Sequence, residues 1–331
     1  MLMFHTRCRT VRGQLTFAKF LCIMLFAVGP TYSQSPKPLG PLITAGQLEA
    51  RLGSSNLRIL DLGPDQEEFA KSHIPNAIYV DWLKDLSSQD KPEQYNLLGK
   101  KEMERLMSRL GISRTSRIVV YDNLSSRLAV RMYWTLRCYG HKNVHVLDGG
   151  FASWLASGRS VSDANVRVTP TRYKVDTVND QHFADMEFIS RRLQRVDFAI
   201  IDGRPPDQFT GAKPGRVYHT GVEHKQRGHI PGAINVFWKD NLKAEGTFKS
   251  IPELKKLYED VADSKTVVTY CNEGLHAVPA WFVLSEILGK SGVRVYDRSM
   301  SEWGNVGQHT AMGPGRTARN EAAKLSTNQS D

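Results

Sequence analysis

Cysteine is scarce in this chain of 331 residues, which holds four: Cys8, Cys22, Cys138 and Cys271. Two of them fall in an N-terminal segment treated below. The remaining two, far apart, cannot form a disulfide scaffold, and no closely spaced cysteine pair offers zinc its ligands. Long apolar runs are also missing. The block Phe20 to Val28 is far short of the roughly 20 residues that cross a bilayer. The formal net charge is +10, yet there is no run of Lys and Arg and no basic–aromatic stripe, so the pattern does not point to nucleic acid. A small anionic substrate is compatible with such a charge. His219, His224 and His229 recur at five-residue spacing, but no cysteine or carboxylate is arranged with them. They are expected to be solvated loop histidines rather than metal ligands.

The N-terminus accounts for part of the charge. "MLMFHTRCRTVRGQLTFAKFLCIMLFAVGPTYSQS" places Arg7, Arg9, Arg12 and Lys19 ahead of or beside the apolar block, followed by Gly-Pro and small polar residues. This is the layout of a secretory leader, with cleavage near Ser33. A mitochondrial transit peptide is the alternative, since the first acidic residue is Glu49. On the leader reading the mature chain is periplasmic or secreted, loses its most basic segment and makes no stable membrane insertion.

The rest of the chain is written twice. "LRILDLGPDQEEFAKSHIPNAIYVDW" (57–82) resembles "FAIIDGRPPDQF…RGHIPGAINVFW" (198–238). "RIVVYDNLSSRLAVRMYWTLRCYGHKNVHVLDGGFASW" resembles "TVVTYCNEGLHAVPAWFVLSEILGKSGVRVYDRSMSEW". In each, 27 positions separate Tyr121 or Tyr270 from Asp148 or Asp297, and Trp154 or Trp303 follows six further on. The second copy alone contains the insertion "GAKPGRVYHTGVEHK". Short β-branched runs (RILD, AIYV, RIVVY and VHVLD; then AIID, AINVF, TVVTY and VRVYD) alternate with helical patterns such as KKEMERLMSRLG and SIPELKKLYEDV. That alternation predicts an α/β fold in which a mostly parallel sheet is flanked by helices, once in each copy. The expected division is a leader at 1–33, a first domain at 40–160, a linker at 161–180, a second domain at 181–310 and a flexible tail at 311–331.

The repeat separates the two remaining cysteines. Cys138 falls opposite Ile287, inside a helical pattern, and is expected to fill core. Cys271 falls opposite Asp122, directly after a strand. It precedes the loop CNEGLH and a helix with Pro279 in its first turn, a favoured early position. Parallel α/β sheets bind ligands at the carboxyl ends of their strands. Loop amides and a helix N-terminus at that point favour a thiolate, the reactive form. The other reading of such a residue is a buried structural thiol.

The motifs GHIPGAIN, TYCNEGLHA, WFVLSEILG and YDRSMSEWG make the chain resemble a tandem-domain rhodanese-like sulfurtransferase of the thiosulfate and 3-mercaptopyruvate family. The resemblance covers nearly all of the mature chain. It implies two rhodanese-like domains, the first non-catalytic with Asp122 in the nucleophile's place. It also implies that Cys271 takes a sulfane sulfur from a small anionic donor as a persulfide and passes it to cyanide or a thiol. No cofactor or metal is implied. Arg204, after the strand FAIID, resembles the family arginine that meets the anionic donor; a guanidinium suits a sulfonate or carboxylate. The loop residues Asn272, Glu273, Gly274, Leu275 and His276, with Arg298, complete the expected donor site. Asp202 reads as a turn residue, and His229, which matches His73 in the other copy, as structural.

Two departures bear on the donor. Glu273 stands in a loop that in the family carries a cation, and YDRS replaces YDGS, which puts Arg298 at a strand end. Either Arg298 or His276 is expected to supply the missing positive charge, or the donor is less highly charged than thiosulfate, with 3-mercaptopyruvate or a protein persulfide as the alternatives. Phosphatase chemistry on the same fold needs an arginine where Ala277 stands, and so is disfavoured. A non-catalytic sulfur carrier or binding module remains the alternative from another class.

Overall fold

The computed structural model describes Met3 and residues 39–315, apart from Pro64, 89–95 and Leu124. The expected leader, and the tail beyond 315, lie outside the described residues. Two parallel sheets of five strands account for the repeat. The first contains β1 (Leu42–Ile43), β2 (Leu57–Asp61), β3 (Ala77–Tyr79), β4 (Arg117–Tyr121) and β5 (Val144–Leu147), in the order β1-β5-β4-β2-β3. The second contains β6 (Phe183–Ala184), β7 (Phe198–Asp202), β8 (Ile234–Asn235), β9 (Thr266–Tyr270) and β10 (Val293–Tyr296), in the order β6-β10-β9-β7-β8. All eight β-branched runs read from the sequence are strands. The edge strands β1 and β6 were not anticipated; at two residues each they carry no alternation, and exist by pairing with β5 and β10.

One apolar core runs through both halves. The helix Arg127–Cys138, which follows β4, packs against Val278–Trp281 and its continuation Phe282–Ile287, which follow β9. Tyr133 meets Phe282, its counterpart in the repeat, edge to face with ring centroids 4.9 Å apart. Cys138 is buried in this core as expected. Polar contacts across the junction are reciprocal. Asp297 accepts a hydrogen bond from the Leu97 amide at 2.7 Å, and Asp148, its counterpart, accepts one from the Phe248 amide at 2.9 Å.

Residues 305–315, which include the start of the expected tail at 311–331, are bonded to the second half. Trp303 Nε1 donates to His309 O, Ala311 pairs with His229 in both directions, and the Gly313 amide donates to Thr210 O. The polar composition concealed these contacts because they are made by backbone groups.

In the first half, Asp122 occupies the loop after β4. Its Oδ1 accepts from the Ser126 amide at 2.9 Å, and its Oδ2 accepts from the Leu128 and Ala129 amides at 2.8 Å each. These are donors at a helix start, which have no intrahelical acceptor. Asp122→Ala is expected to lower stability by about 2 to 4 kcal/mol in urea unfolding, the cost of leaving such donors unpaired. An unchanged midpoint and slope would show that the carboxylate does not hold this loop.

Candidate active site

Register brings the site together. β7 and β9 run side by side with Asp202 opposite Tyr270, so the chain leaves the sheet at neighbouring points toward Arg204 and Cys271. Two glycines let the loops close on each other. A side chain on Gly203 would stand 2.4 Å from His276 O, and one on Gly274, at φ +84°, would stand 2.3 Å from Asp297 Oδ1. Neither position has room for a Cβ, and Gly274 also has a left-handed backbone.

Cys271 sits at the floor of this arrangement, fully buried. The His276 amide lies 3.2 Å from its Sγ. Ser299 organises the rest of the loop: its Oγ accepts from the Cys271 amide at 3.0 Å and the Gly274 amide at 3.1 Å, and donates to Tyr296 O at 2.7 Å. The Cys271 and Asn272 carbonyls accept in turn from the Met300 and Ser301 amides. Ser299 was not singled out in the sequence. Its signal is a non-glycine residue held at φ +50° directly after the second strand-end turn.

The loop amides curve onto the sulfur as expected, but the net effect on the thiol is the reverse of expectation. Burial pushes the Cys271 pKa up to about 11, against the Glu273 and His276 amides that favour the thiolate; the Glu273 and Asp202 carboxylates add to the rise.

Arg204 is buried and bonded through Nε and Nη2 to Asp202 at 2.6 to 3.0 Å, with Nη2 also donating to Gly228 O at 2.7 Å. Asp202 is therefore the guanidinium's partner as well as a turn residue, accepting from the Arg204 amide. Burial works against the charge on Arg204, and Asp202 more than offsets it; Cys271 also interacts electrostatically with this arginine.

The remaining candidates are placed differently from one another. Asn272 is buried, its Oδ1 at 3.1 Å from His224 Nε2 and its Nδ2 donating to Gln208 Oε1 at 2.9 Å. Leu275 is buried in the core. Glu273 is buried too; it accepts from the Tyr218 amide at 2.9 Å and meets His219 Nδ1 at 3.1 Å. Its carboxylate thus fastens the second-copy insertion over the loop. Arg298 and His276 do not neutralise it as expected. Arg298 turns outward to Glu302 Oε1 at 2.8 Å. The His276 ring stacks on Trp238 at 5.0 Å, and burial, with Arg127 and Lys239 nearby, lowers its pKa to about 3, so it is uncharged at neutral pH.

The expectation of solvated histidines is also corrected. His224 and His229 are buried, and His219 is bonded to Glu273. His229 stacks on Phe209 at 3.9 Å and bonds Phe209 O, as His73 stacks on Phe69 at 4.0 Å and bonds Phe69 O. Both therefore have the structural place anticipated from the repeat. Among the described residues no group of three metal-ligating side chains could hold an ion.

Two parallel α/β halves, with a strand-end cysteine met by the Glu273 and His276 amides in one and a carboxylate at the same place in the other, define a tandem-repeat class with one cysteine loop. The rhodanese-like domain model matches residues 44–157 and 186–305. The chain belongs to the rhodanese-like family and is a tandem-domain sulfurtransferase. It is 34% identical over 269 residues to a thiosulfate sulfurtransferase of Corynebacterium glutamicum, covering 80% of this chain and 88% of that protein. It is 31% identical over 270 residues to a sulfur carrier protein of Thermus thermophilus, covering 80% and 94%. Among solved structures it is similar to SseA from Escherichia coli, described as a 3-mercaptopyruvate sulfotransferase, with a TM-score of 0.68 and 25% identity, covering 78% of this chain and 98% of that one.

Because burial favours the neutral thiol, its ionised fraction grows about tenfold per pH unit below the pKa. Alkylation of Cys271 by iodoacetamide in the unliganded protein is expected to keep rising from pH 7 to pH 10 without a plateau. A plateau with a midpoint near pH 7 would show that the loop amides outweigh burial.

Proposed function

We propose that Cys271 is the nucleophile of a double displacement. Its thiolate attacks the donor's outer sulfur. The bond from that sulfur to the rest of the donor breaks, and sulfite leaves from thiosulfate, or the pyruvate enolate, then protonated, leaves from 3-mercaptopyruvate. The resulting Cys271 persulfide is attacked by cyanide or a thiol, which removes the outer sulfur and restores the thiolate. The observation that carries this reading is the pair of loops after β4 and β9. In one, amides hold the Asp122 carboxylate; in the other, an amide meets the Cys271 sulfur. The loop type is built to hold an anion at that point, and thiolate and persulfide are such anions.

Arg204 is proposed to steady negative charge at the sulfur, and Gly274 and His276 to line the donor site through their backbone, with Asn272 and Leu275 holding the loop in shape. Glu273 positions the insertion. Arg298 is left out of the donor site, its side chain being bonded to Glu302. Cys271→Ser is expected to fold normally and to lose turnover with both donors, because a hydroxyl neither ionises at this pH nor forms a persulfide. Continued multiple turnovers in that variant would refute the assignment.

A one-site sulfur carrier is the second reading, favoured by the name of the Thermus thermophilus relative and by the complete burial of Cys271. Cyanolysis separates the two readings: an enzyme releases many thiocyanates per chain, whereas a carrier releases one at most.

We also propose that residues 1–33 direct export and that the mature chain consists of domains at 40–160 and 181–310 joined by 161–180. Among the described residues no helix is long and apolar enough to cross a membrane. The native protein should begin near Gln34 and be periplasmic or secreted; N-terminal sequencing that starts at Met1 in a cytosolic pool would rule this out.

A further inference from the structure

Arg127 opens the helix that follows the Asp122 loop, in the half without the cysteine. It is the repeat counterpart of His276, and the two residues touch. Arg127 Nη1 lies 3.2 Å from His276 Nε2, and Nη2 donates to the Tyr218 hydroxyl at 2.7 Å. A guanidinium carries no acceptor, so it is the donor, and the neutral His276 ring accepts at Nε2. The guanidinium also lies over the Tyr218 ring, 4.4 Å from its centroid.

What this cation lacks is a counter-ion. Arg127 is only 7% exposed, and among the described residues no carboxylate lies within ion-pair distance of it. Its Nε is buried without a hydrogen-bond partner. Glu273, the nearest acidic residue of the loop, engages the backbone amide of Tyr218 and not the hydroxyl that Arg127 holds. The other buried arginines differ. Arg204 has Asp202, and Arg131 has Asp297. Burying a guanidinium against neutral groups alone is unfavourable, and sites that keep such a charge are ones where an anion completes it.

The position sets the kind of anion. Cys271 Sγ and Arg127 Nη1 each lie 3.2 Å from one residue, His276, the first from its amide and the second from its ring. His276 touches both, the sulfur with its amide and the guanidinium with its ring, so a donor that spans them needs its anionic group set apart from its sulfur. In thiosulfate the oxygens are one bond removed from the central sulfur, whereas 3-mercaptopyruvate carries its carboxylate at the far end of a three-carbon chain.

We propose that Arg127, from the half without the nucleophile, binds the carboxylate of an extended donor while its sulfur lies at Cys271. This rests on the sulfurtransferase reading above and assigns its site a specificity-determining residue from the other copy.

The test compares wild type, Arg127→Gln and Arg127→Lys in the full chain. Steady-state rates are taken with 3-mercaptopyruvate and with thiosulfate, and thermal unfolding is followed with and without pyruvate, which has the carboxylate but no transferable sulfur. For Arg127→Gln, the KM for 3-mercaptopyruvate should rise by at least about 10-fold, the scale of a lost hydrogen bond to a charged group. Its KM for thiosulfate should change less than about 3-fold, and Arg127→Lys should recover part of the loss. The unliganded Arg127→Gln protein should unfold at the same temperature as wild type or higher, and pyruvate should stabilise only wild type and Arg127→Lys. Equal KM changes for both donors, or a lower unfolding temperature with no donor selectivity, would mark Arg127 as structural and overturn the proposal. If wild type turned over neither donor, the functional reading would fail; pyruvate stabilisation lost in Arg127→Gln would still support the anion site, and its absence in wild type would refute it.

Discussion

The carboxylate of Asp297 joins the two halves to the sulfur loop. Arg131, buried in the first half, donates to both of its oxygens, and the Leu97 amide donates to Oδ2. Gly274 of the sulfur loop lies against the same side chain. The next turn carries Ser299, whose hydroxyl collects the amides of Cys271 and Gly274. Arg131 is fully buried and Asp297 only partly exposed, so separating the pair would leave a buried guanidinium without its partner, which is strongly unfavourable. The conformation of the loop therefore depends on a cation from the copy that has an aspartate in place of the cysteine. The first half is part of the site's construction.

This dependence explains how the two copies differ in use while keeping one shape. In the first, an anion supplied by the chain, Asp122, fills the amide cradle permanently. In the second, the same loop meets the Cys271 sulfur through the His276 amide. The insertion found only in the second copy is drawn over the sulfur by Glu273 through Tyr218 and His219. Burial that raises the thiol's pKa also keeps water and adventitious oxidants from it, so protection and activation oppose each other at one atom.

Much of this was legible in the chain. The strands showed because β-branched runs recur at matching positions, and Cys271 showed because the repeat puts it at a strand end opposite an aspartate. Side-chain direction was not legible. Glu273 and Arg298 are near the site in sequence, yet one is turned to the insertion and the other to Glu302, and periodicity says nothing about such choices in a loop. Ser299 escaped notice because serine is ordinary and the aim of its hydroxyl is set by a backbone angle that the sequence does not show. Arg127 lies 149 residues from its partner His276. The equal spacing of the copies already placed the two opposite each other, but only the folded junction shows that counterparts touch.

The reciprocal junction has a consequence for modularity. The helix Arg127–Cys138 is buried over nearly all of its length, and its apolar residues belong to a core shared with the other half. Cutting the chain in the connector would give two fragments, each with a bare aromatic face and a cradle missing its neighbour's support. The duplication has thus passed the stage at which its copies could be separated or shuffled as independent domains, and the molecule should melt as one cooperative unit.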